Sequence, residues 1–238
     1  MSNWILYGLR RGILTTRYPQ RSGAMPAGYR GAVTALNAPL EEQRAGIAAC
    51  LSGALQEGSP AARVDALRCY QCGECVRRAP TAFAISPAFE VARLRQRAAP
   101  FGRSVHVRHV DAGSDGSEEQ ELQAIFNPFY DANRLGIFLT ATPRHADVLI
   151  VTGVVTHPMV DPLRRAYDAM PHPKSVIALG TSACSGGIFA DSPDVAGPVD
   201  TIVPVDVYIP GMPPTPLSIL HGLAVALGRA VPAGGAIP

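Results

Sequence analysis

Ala146-Asp147-Val148-Leu149-Ile150-Val151-Thr152 decides the fold. Its centre is apolar at every residue rather than at alternate ones. A segment of this length with no wet face reads as a strand inside a parallel sheet that is covered on both sides. The turn-prone Thr142-Pro143-Arg144 precedes it. Ser175 to Leu179 (SVIAL) repeats the pattern and is closed by Gly180, and Thr201 to Ile209 (TIVPVDVYI) gives a third such run. Upstream, Val105 to Val110 (VHVRHV) alternates as a half-buried strand does. Helical spacing runs from Pro162 to Met170, where Pro171 and Pro173 end it, and from Pro216 to Ala230. Strand, helix, strand, loop, strand, helix predicts an α/β domain over residues 105–230 with ligands at the carboxyl ends of its strands. Residues 90–104 read as a linker.

Composition bounds the remainder. The 238 residues include 23 Gly and 22 Pro, which favours turns over long helices. Hydrophobic residues make up 47%, enough for a core, and charged residues only 17%, so much of the surface is expected to be covered by partners. A coiled coil, a disordered polyelectrolyte and a collagen-like repeat are excluded. The net charge of +2 is too small to argue for nucleic acid. No apolar run reaches the ~18–20 residues of a membrane span; the best, Leu217 to Val231, is interrupted by His221 and Arg229. Met1 to Leu14 has an apolar patch but no pattern of a cleaved signal. Charge is nevertheless uneven. The first forty residues hold Arg10, Arg11, Arg17, Arg21 and Arg30 and no acid, beside Trp4, Ile5, Leu6 and Leu9. Residues 1–36 therefore read as a basic arm suited to an anionic membrane surface or an acidic partner. Asp111, Asp115, Glu118, Glu119 and Glu121 form the opposite, acidic stretch.

Five cysteines, Cys50, Cys69, Cys72, Cys75 and Cys184, are an odd number with one tight cluster, which is not a disulfide framework. Cys69-Tyr70-Gln71-Cys72-Gly73-Glu74-Cys75 is C-x2-C-x2-C, a spacing that lets three thiolates of one loop reach three irons of a cubane. The run resembles that of bacterial ferredoxins, which continues x3-C-P with its fourth Cys serving the other cluster. Here Ala79 and Pro80 stand at that point. By the same resemblance the segment around Cys50 is similar to residues 78–84, and Cys50 becomes the fourth ligand. The partner cluster would need cysteines at Leu40, Gln43, Gly46 and Ala79, and all four are missing. One [4Fe–4S] cluster on Cys50, Cys69, Cys72 and Cys75 is expected in a ferredoxin-like domain over residues 37–95. A four-thiolate zinc site stays open, because zinc accepts the same ligands.

Further motifs carry a second resemblance. Pro143 to Gly153 (PRHADVLIVTG), Gly186-Gly187-Ile188-Phe189, Val203 to Gly211 (VPVDVYIPG) and Pro213-Pro214-Thr215-Pro216 resemble the small subunit of membrane-bound [NiFe] hydrogenases and the related small subunit of respiratory complex I. This covers roughly residues 105–230. The first half is similar to the ferredoxin-like subunit of the same complexes, including Thr15-Thr16-Arg17-Tyr18-Pro19. The resemblance implies a fusion of two neighbouring subunits: a flavodoxin-like parallel-sheet α/β domain preceded by a ferredoxin-like (α+β) iron–sulfur domain. It implies a large subunit and membrane-arm subunits as partners, and a peripheral place on the cytoplasmic face of a bacterial inner membrane. The chain would belong to an oxidoreductase without being catalytic alone.

The departures from that family are informative. Its terminal-cluster cysteines should fall at Asp115, Glu118, Ser182 and Met212, and none is Cys. That mixture of hard and soft groups suits no common metal, so the terminal site is expected to be empty. Cys184 lies two residues from the third position and cannot hold a cluster alone. Arg144 and His145 would lie near the quinone or large-subunit interface, whereas His106 and His109 read as strand residues. Two function classes follow. One is an electron-transfer subunit with one cluster in a formate-hydrogenlyase-type or complex-I-like assembly. The other is a non-redox structural or coupling subunit of an ion or solute transport complex, with a structural metal at the cysteines.

Overall fold

The continuous apolar runs form the centre of a six-stranded sheet. The structure is a computed structural model that describes residues 3–21, 25–26, 28–96 and 101–234. The first half contains α1 (Trp4–Arg11), β1 (Val33–Ala35), α2 (Leu40–Ala48), β2 (Leu55–Gln56), β3 (Arg63–Val64), α3 (Glu74–Arg78) and β4 (Phe83–Ile85). β1 pairs antiparallel with β4, and β2 with β3. A small core of Val33, Leu55, Ala62, Cys75, Ala79, Ala82 and Phe83 joins the two ribbons to the helices.

The second half contains β5 (Arg93–Leu94), β6 (Val105–Asp111), α4 (Ser117–Ala124), β7 (Ile137–Leu139), β8 (Val148–Thr152), β9 (Val155–Thr156), α5 (Val160–Asp168), β10 (Ser175–Leu179), α6 (Thr181–Ser185), β11 (Val195–Gly197), β12 (Val207–Ile209) and α7 (Pro216–Ala226). The sheet order is β5-β12-β10-β8-β6-β7. The five strands from β7 to β12 are parallel, and β5 is an antiparallel edge on β12. Numbered along the chain, the parallel strands run 2-1-3-4-5, the flavodoxin order, whose switch point lies between the first and third strands. Here those strands are β6 and β8.

Every residue of β8 and β10 is buried. Alternate residues enter two separate cores. Val148, Ile150, Ile177 and Leu179 pack with Leu122 of α4 and Ile219, Leu220 and Leu223 of α7. Leu149, Val151, Val176 and Ala178 pack with Leu163 of α5 and Ala183 of α6. This is why neither run alternates in sequence. Ile177 has no exposed surface, so Ile177→Ala is expected to cost about 2–5 kcal/mol, read from urea unfolding. A loss below about 1 kcal/mol would contradict this packing.

Several expectations need correction. The stretch 90–104 is not simply a linker: Val91 and Ala92 are buried and Arg93–Leu94 adds the sixth strand, so the sheet is mixed rather than wholly parallel. The run from Thr201 narrows to Val207–Ile209, because Pro204 has no N–H for a central ladder. The last helix stops at Ala226 rather than Ala230, two residues before Gly228 at φ +67°. The arm is not free throughout. Thr16 N donates to Phe129 O, and Arg134 Nη2 donates to Tyr18 O at 2.6 Å, so residues 15–18 pack on the α/β domain. α1 has no buried residue. No described helix is long and apolar enough to cross a membrane.

Candidate metal centre and the crevice beside it

Between Cys69 and Cys75 the backbone turns left-handed twice, at Gln71 (φ +57°) and Gly73 (φ +77°). Turns of this kind point backbone N–H groups inward and make concavities that hold anionic groups, iron–sulfur centres among them. Gln71 N lies 3.4 Å from Cys69 Sγ as donor. Cys75 follows in the first turn of α3, and Arg30 Nη1 ties the loop by donating to Cys72 O at 2.6 Å. Cys50 comes from a separate segment just past α2, where its N donates to Ile47 O.

Cys50, Cys69, Cys72 and Cys75 line one cavity of about 90 Å³, with apolar walls from Val33, Ala54 and Leu55. One water takes roughly 10–15 Å³ by this measure, so the space admits a guest of several atoms. Among the described residues no three His, Cys, Asp or Glu side chains converge on one point as a single ion requires. Burial pushes the Cys69 thiol up to about 11, and the neighbouring cysteines push it the same way. Cys75 is raised mainly by burial. Without a compensating cation these two thiols keep their protons at neutral pH; a bound metal must displace them.

Of the four positions that the ferredoxin resemblance assigned to a second cluster, three are occupied by packing. Gly46 faces the Phe83 ring, whose Cδ2 would lie 2.7 Å from a Cβ there. Gln43 is buried and donates from Nε2 to Ala38 O and Pro60 O. Ala79 is in the core, and Leu40 is exposed.

The cysteine loop is fastened to the α/β domain. Thr181 Oγ1 donates to Cys69 O at 3.1 Å, and Ile188 N donates to Tyr70 Oη at 2.8 Å. Gly187, at φ +56°, leaves the room that the Tyr70 hydroxyl takes. Ser182 lies on the same short helix, and its Oγ donates to Met212 Sδ at 3.6 Å. Asp115 and Glu118 lie after β6, at the switch point. The four positions thus gather near the start of α6, next to the cysteine loop.

Glu118 is the unusual member. It is fully buried, its Cγ would stand 2.8 Å from a Cβ on Gly180, and its Oε1 has no hydrogen-bond partner. Burial raises its carboxyl, with Asp115 and Glu119 adding repulsion. Asp115 is exposed and held low by hydrogen bonds from the Ser117 hydroxyl and N–H. Behind them sits a cluster that the sequence reading did not assemble. His109 Nε2 is 2.9 Å from Thr152 Oγ1 and 3.4 Å from Glu119 Oε1. Glu119 also accepts from Thr152 Oγ1 and, at 2.7 Å, from Ser114 Oγ. Burial lowers His109, and Glu119 partly opposes this. The acidic run Asp111–Glu121 was the available signal.

A raised carboxyl has a definite sign in stability. The folded state holds the Glu118 proton more tightly than the unfolded chain, so raising pH from the ordinary carboxyl value towards the elevated one costs stability. Glu118→Gln is expected to remove that loss, so the variant gains on the wild type as pH rises through this window. Thermal midpoints from pH 4 to 8 measure it, and a gap independent of pH would refute it.

Arg144 and His145 are exposed in the turn before β8, at the amino end of the strand, opposite the crevice. Cys184 is buried on α6, its Sγ donating to Ala178 O at 3.5 Å, and it is not among the residues lining the cysteine cavity.

Residues 116–226 match the family described as NADH ubiquinone oxidoreductase, 20 Kd subunit. The chain is 44% identical over 137 residues to the probable membrane-bound hydrogenase subunit mbhJ of Pyrococcus furiosus, covering 58% of this chain and 82% of that protein. It is 50% identical over 126 residues to formate hydrogenlyase subunit 7 of Escherichia coli, covering 53% of this chain and about half (49%) of that one. Among solved structures, the membrane-bound sulfane sulfur reductase, an archaeal respiratory membrane complex, has a chain similar at TM-score 0.46 and 30% identity, covering 53% of this chain and 73% of that chain.

Proposed function

The chain belongs to the NADH ubiquinone oxidoreductase 20 Kd subunit family through its second half, and from that premise we propose that it is the iron–sulfur subunit of a membrane-associated assembly of the hydrogenase or complex I type. The assembly resembles formate hydrogenlyase, and the chain carries one [4Fe–4S] cluster on Cys50, Cys69, Cys72 and Cys75. The carrying observation is that two distant segments bring exactly these four thiols to one multi-atom cavity. A space surrounded by thiols suits a polynuclear cluster better than one zinc ion, which draws its ligands to about 2.3 Å.

When bound, the cluster supplies one-electron transfer. The chain's own residues hold and tune it: Gln71 offers its N–H to Cys69 sulfur, Arg30 braces the loop and adds positive charge, and Val33, Ala54 and Leu55 supply apolar walls. Residues 37–95 act as the ferredoxin-like unit, and residues 105–230 as the small-subunit-like unit. The large subunit and membrane-arm subunits are its partners, with Arg144 and His145 on the exposed surface offered to them. In the arm of residues 1–36, α1 presents Ile5 and Leu9 on one side and Arg10 and Arg11 on the other, with Trp4 about two turns before Arg11 on its face, all exposed. That suits peripheral contact with an anionic cytoplasmic leaflet of a bacterial inner membrane.

A second reading is favoured by one observation: Asp115, Glu118, Ser182 and Met212 offer no thiolate where the family's terminal cluster is held. The cysteine site then has no onward acceptor in this chain, and the subunit couples or scaffolds a transport complex around a structural metal. Anaerobic isolation of the assembly, with metal and sulfide counts and redox-monitored EPR, tests both. About four irons and four sulfides per chain with a reducible signal support the first. About eight irons, or one zinc without sulfide, overturn it.

A further inference from the structure

The crevice at the switch point contains a feature that a cluster-holding role does not use. Ser117 Oγ lies 2.6 Å from Asp115 Oδ1 and 3.2 Å from Glu118 Oε2. One carboxyl of this trio is exposed, the other has no exposed surface, and a hydroxyl stands between them. The second oxygen of Glu118, Oε1, is buried without a partner.

We propose that Asp115, Ser117 and Glu118 form a proton relay, with Glu118 as the buried site where the proton is held. The relay needs no metal and is independent of what occupies the cysteine cavity. A hydronium ion from the solvent protonates Asp115 and leaves as water. The Ser117 O–H bond breaks as its proton goes to Glu118 Oε2, and the Asp115 proton passes to Ser117 Oγ and restores the hydroxyl. One proton moves from carboxyl to carboxyl, and no electron moves.

The surroundings fix where the proton rests. The groups around Glu118 are Asp115, Ser117 and Glu119 from its own segment and, from the other side, Gly180 just before α6 and the neutral Cys184 thiol on it. Among the described residues no Arg or Lys forms an ion pair with Glu118, and His109 is turned to Glu119. A negative charge on Glu118 thus has no counter-ion and meets two acidic neighbours, and burial disfavours it further. Asp115, with two hydrogen bonds from Ser117, carries its charge easily. The result is a gradient with its uphill end in water and its downhill end inside the crevice, at the position where the family's relatives hold a cluster ligand.

The full chain tests this by infrared spectroscopy. In a pH titration the wild type should keep a protonated-carboxyl C=O band, shifted in D2O, above the pH at which an ordinary carboxyl has lost its proton, and Glu118→Gln should lack it. After a pH jump, Ser117→Ala should reach the same final band but at least about tenfold more slowly. Asp115→Asn keeps an acceptor for Ser117 N and cannot carry the proton, so it should slow the jump likewise; it serves if Ser117→Ala fails to fold. Persistence of the band in Glu118→Gln overturns the holding site. An unchanged rate in folded Ser117→Ala or Asp115→Asn overturns the relay.

Discussion

Cys69→Ser combined with Cys72→Ser is expected to strip the chain of essentially all bound iron and sulfide, the largest change any pair of substitutions should produce. Both thiols come from the loop whose left-handed turns at Gln71 and Gly73 shape one wall of the cavity. A serine hydroxyl is a poor substitute for a soft thiolate, and two losses leave half a ligand set. Cys50→Ser should weaken the centre in a graded way, although nineteen positions separate Cys50 from Cys69, because the fold makes it the facing wall. Cys184→Ser should leave the iron count unchanged, since that thiol is directed at Ala178 O. Iron and sulfide assays with EPR on the folded variants read all three. Retention of the centre in the double variant, or its loss in Cys184→Ser, would contradict the assignment. Folding and metal binding should also be coupled: Cys75 belongs to the small core around Phe83, and Cys50 and Cys69 pack on it.

What could be seen in the sequence follows from what each element buries. β8 and β10 stand out because each has a packed layer on both faces. α4, by contrast, is SEEQELQA with only Glu118 and Leu122 buried, so its pattern has almost no apolar stripe. β5 is two residues long and starts on an arginine, and only its partner β12 makes it a strand. The site divides in the same way. C-x2-C-x2-C is local and legible, whereas Cys50 could be joined to it only through a resemblance. The anchoring of Tyr70 by Ile188 spans 118 positions, and the His109, Thr152 and Glu119 group draws one residue from each of three elements. No spacing rule reaches contacts of that kind. The unpartnered Oε1 of Glu118 is likewise a property of the packed crevice, invisible in an acidic run that reads as solvated.

Gly153→Ala should destabilise the α/β domain by roughly 3–5 kcal/mol. Two penalties combine. Gly153 sits at φ +71°, a conformation that costs an alanine about 1–3 kcal/mol. Its new Cβ would also collide with Ser114 N and the Gly113 carbonyl carbon and stand 2.6 Å from Ser114 Cα. Those are backbone atoms of the loop after β6, so no side chain can swing aside. The loop is fixed from the other direction as well: Asp111 Oδ1 accepts from Gly113 N at 2.9 Å and Ser114 N at 2.8 Å, and Ala112 N donates to Thr152 O. Relieving the clash must therefore push out the segment that carries Asp115, Ser117 and Glu118. Urea unfolding measures the loss, and a change under about 1 kcal/mol would mean that the two loops are not in backbone contact. The cysteine loop is fastened elsewhere, through Thr181 and Ile188. Whatever Gly153→Ala protein folds in the cold should thus keep its full iron content while its Glu118 carboxyl band is altered, the reverse of the pattern expected for Cys69→Ser with Cys72→Ser.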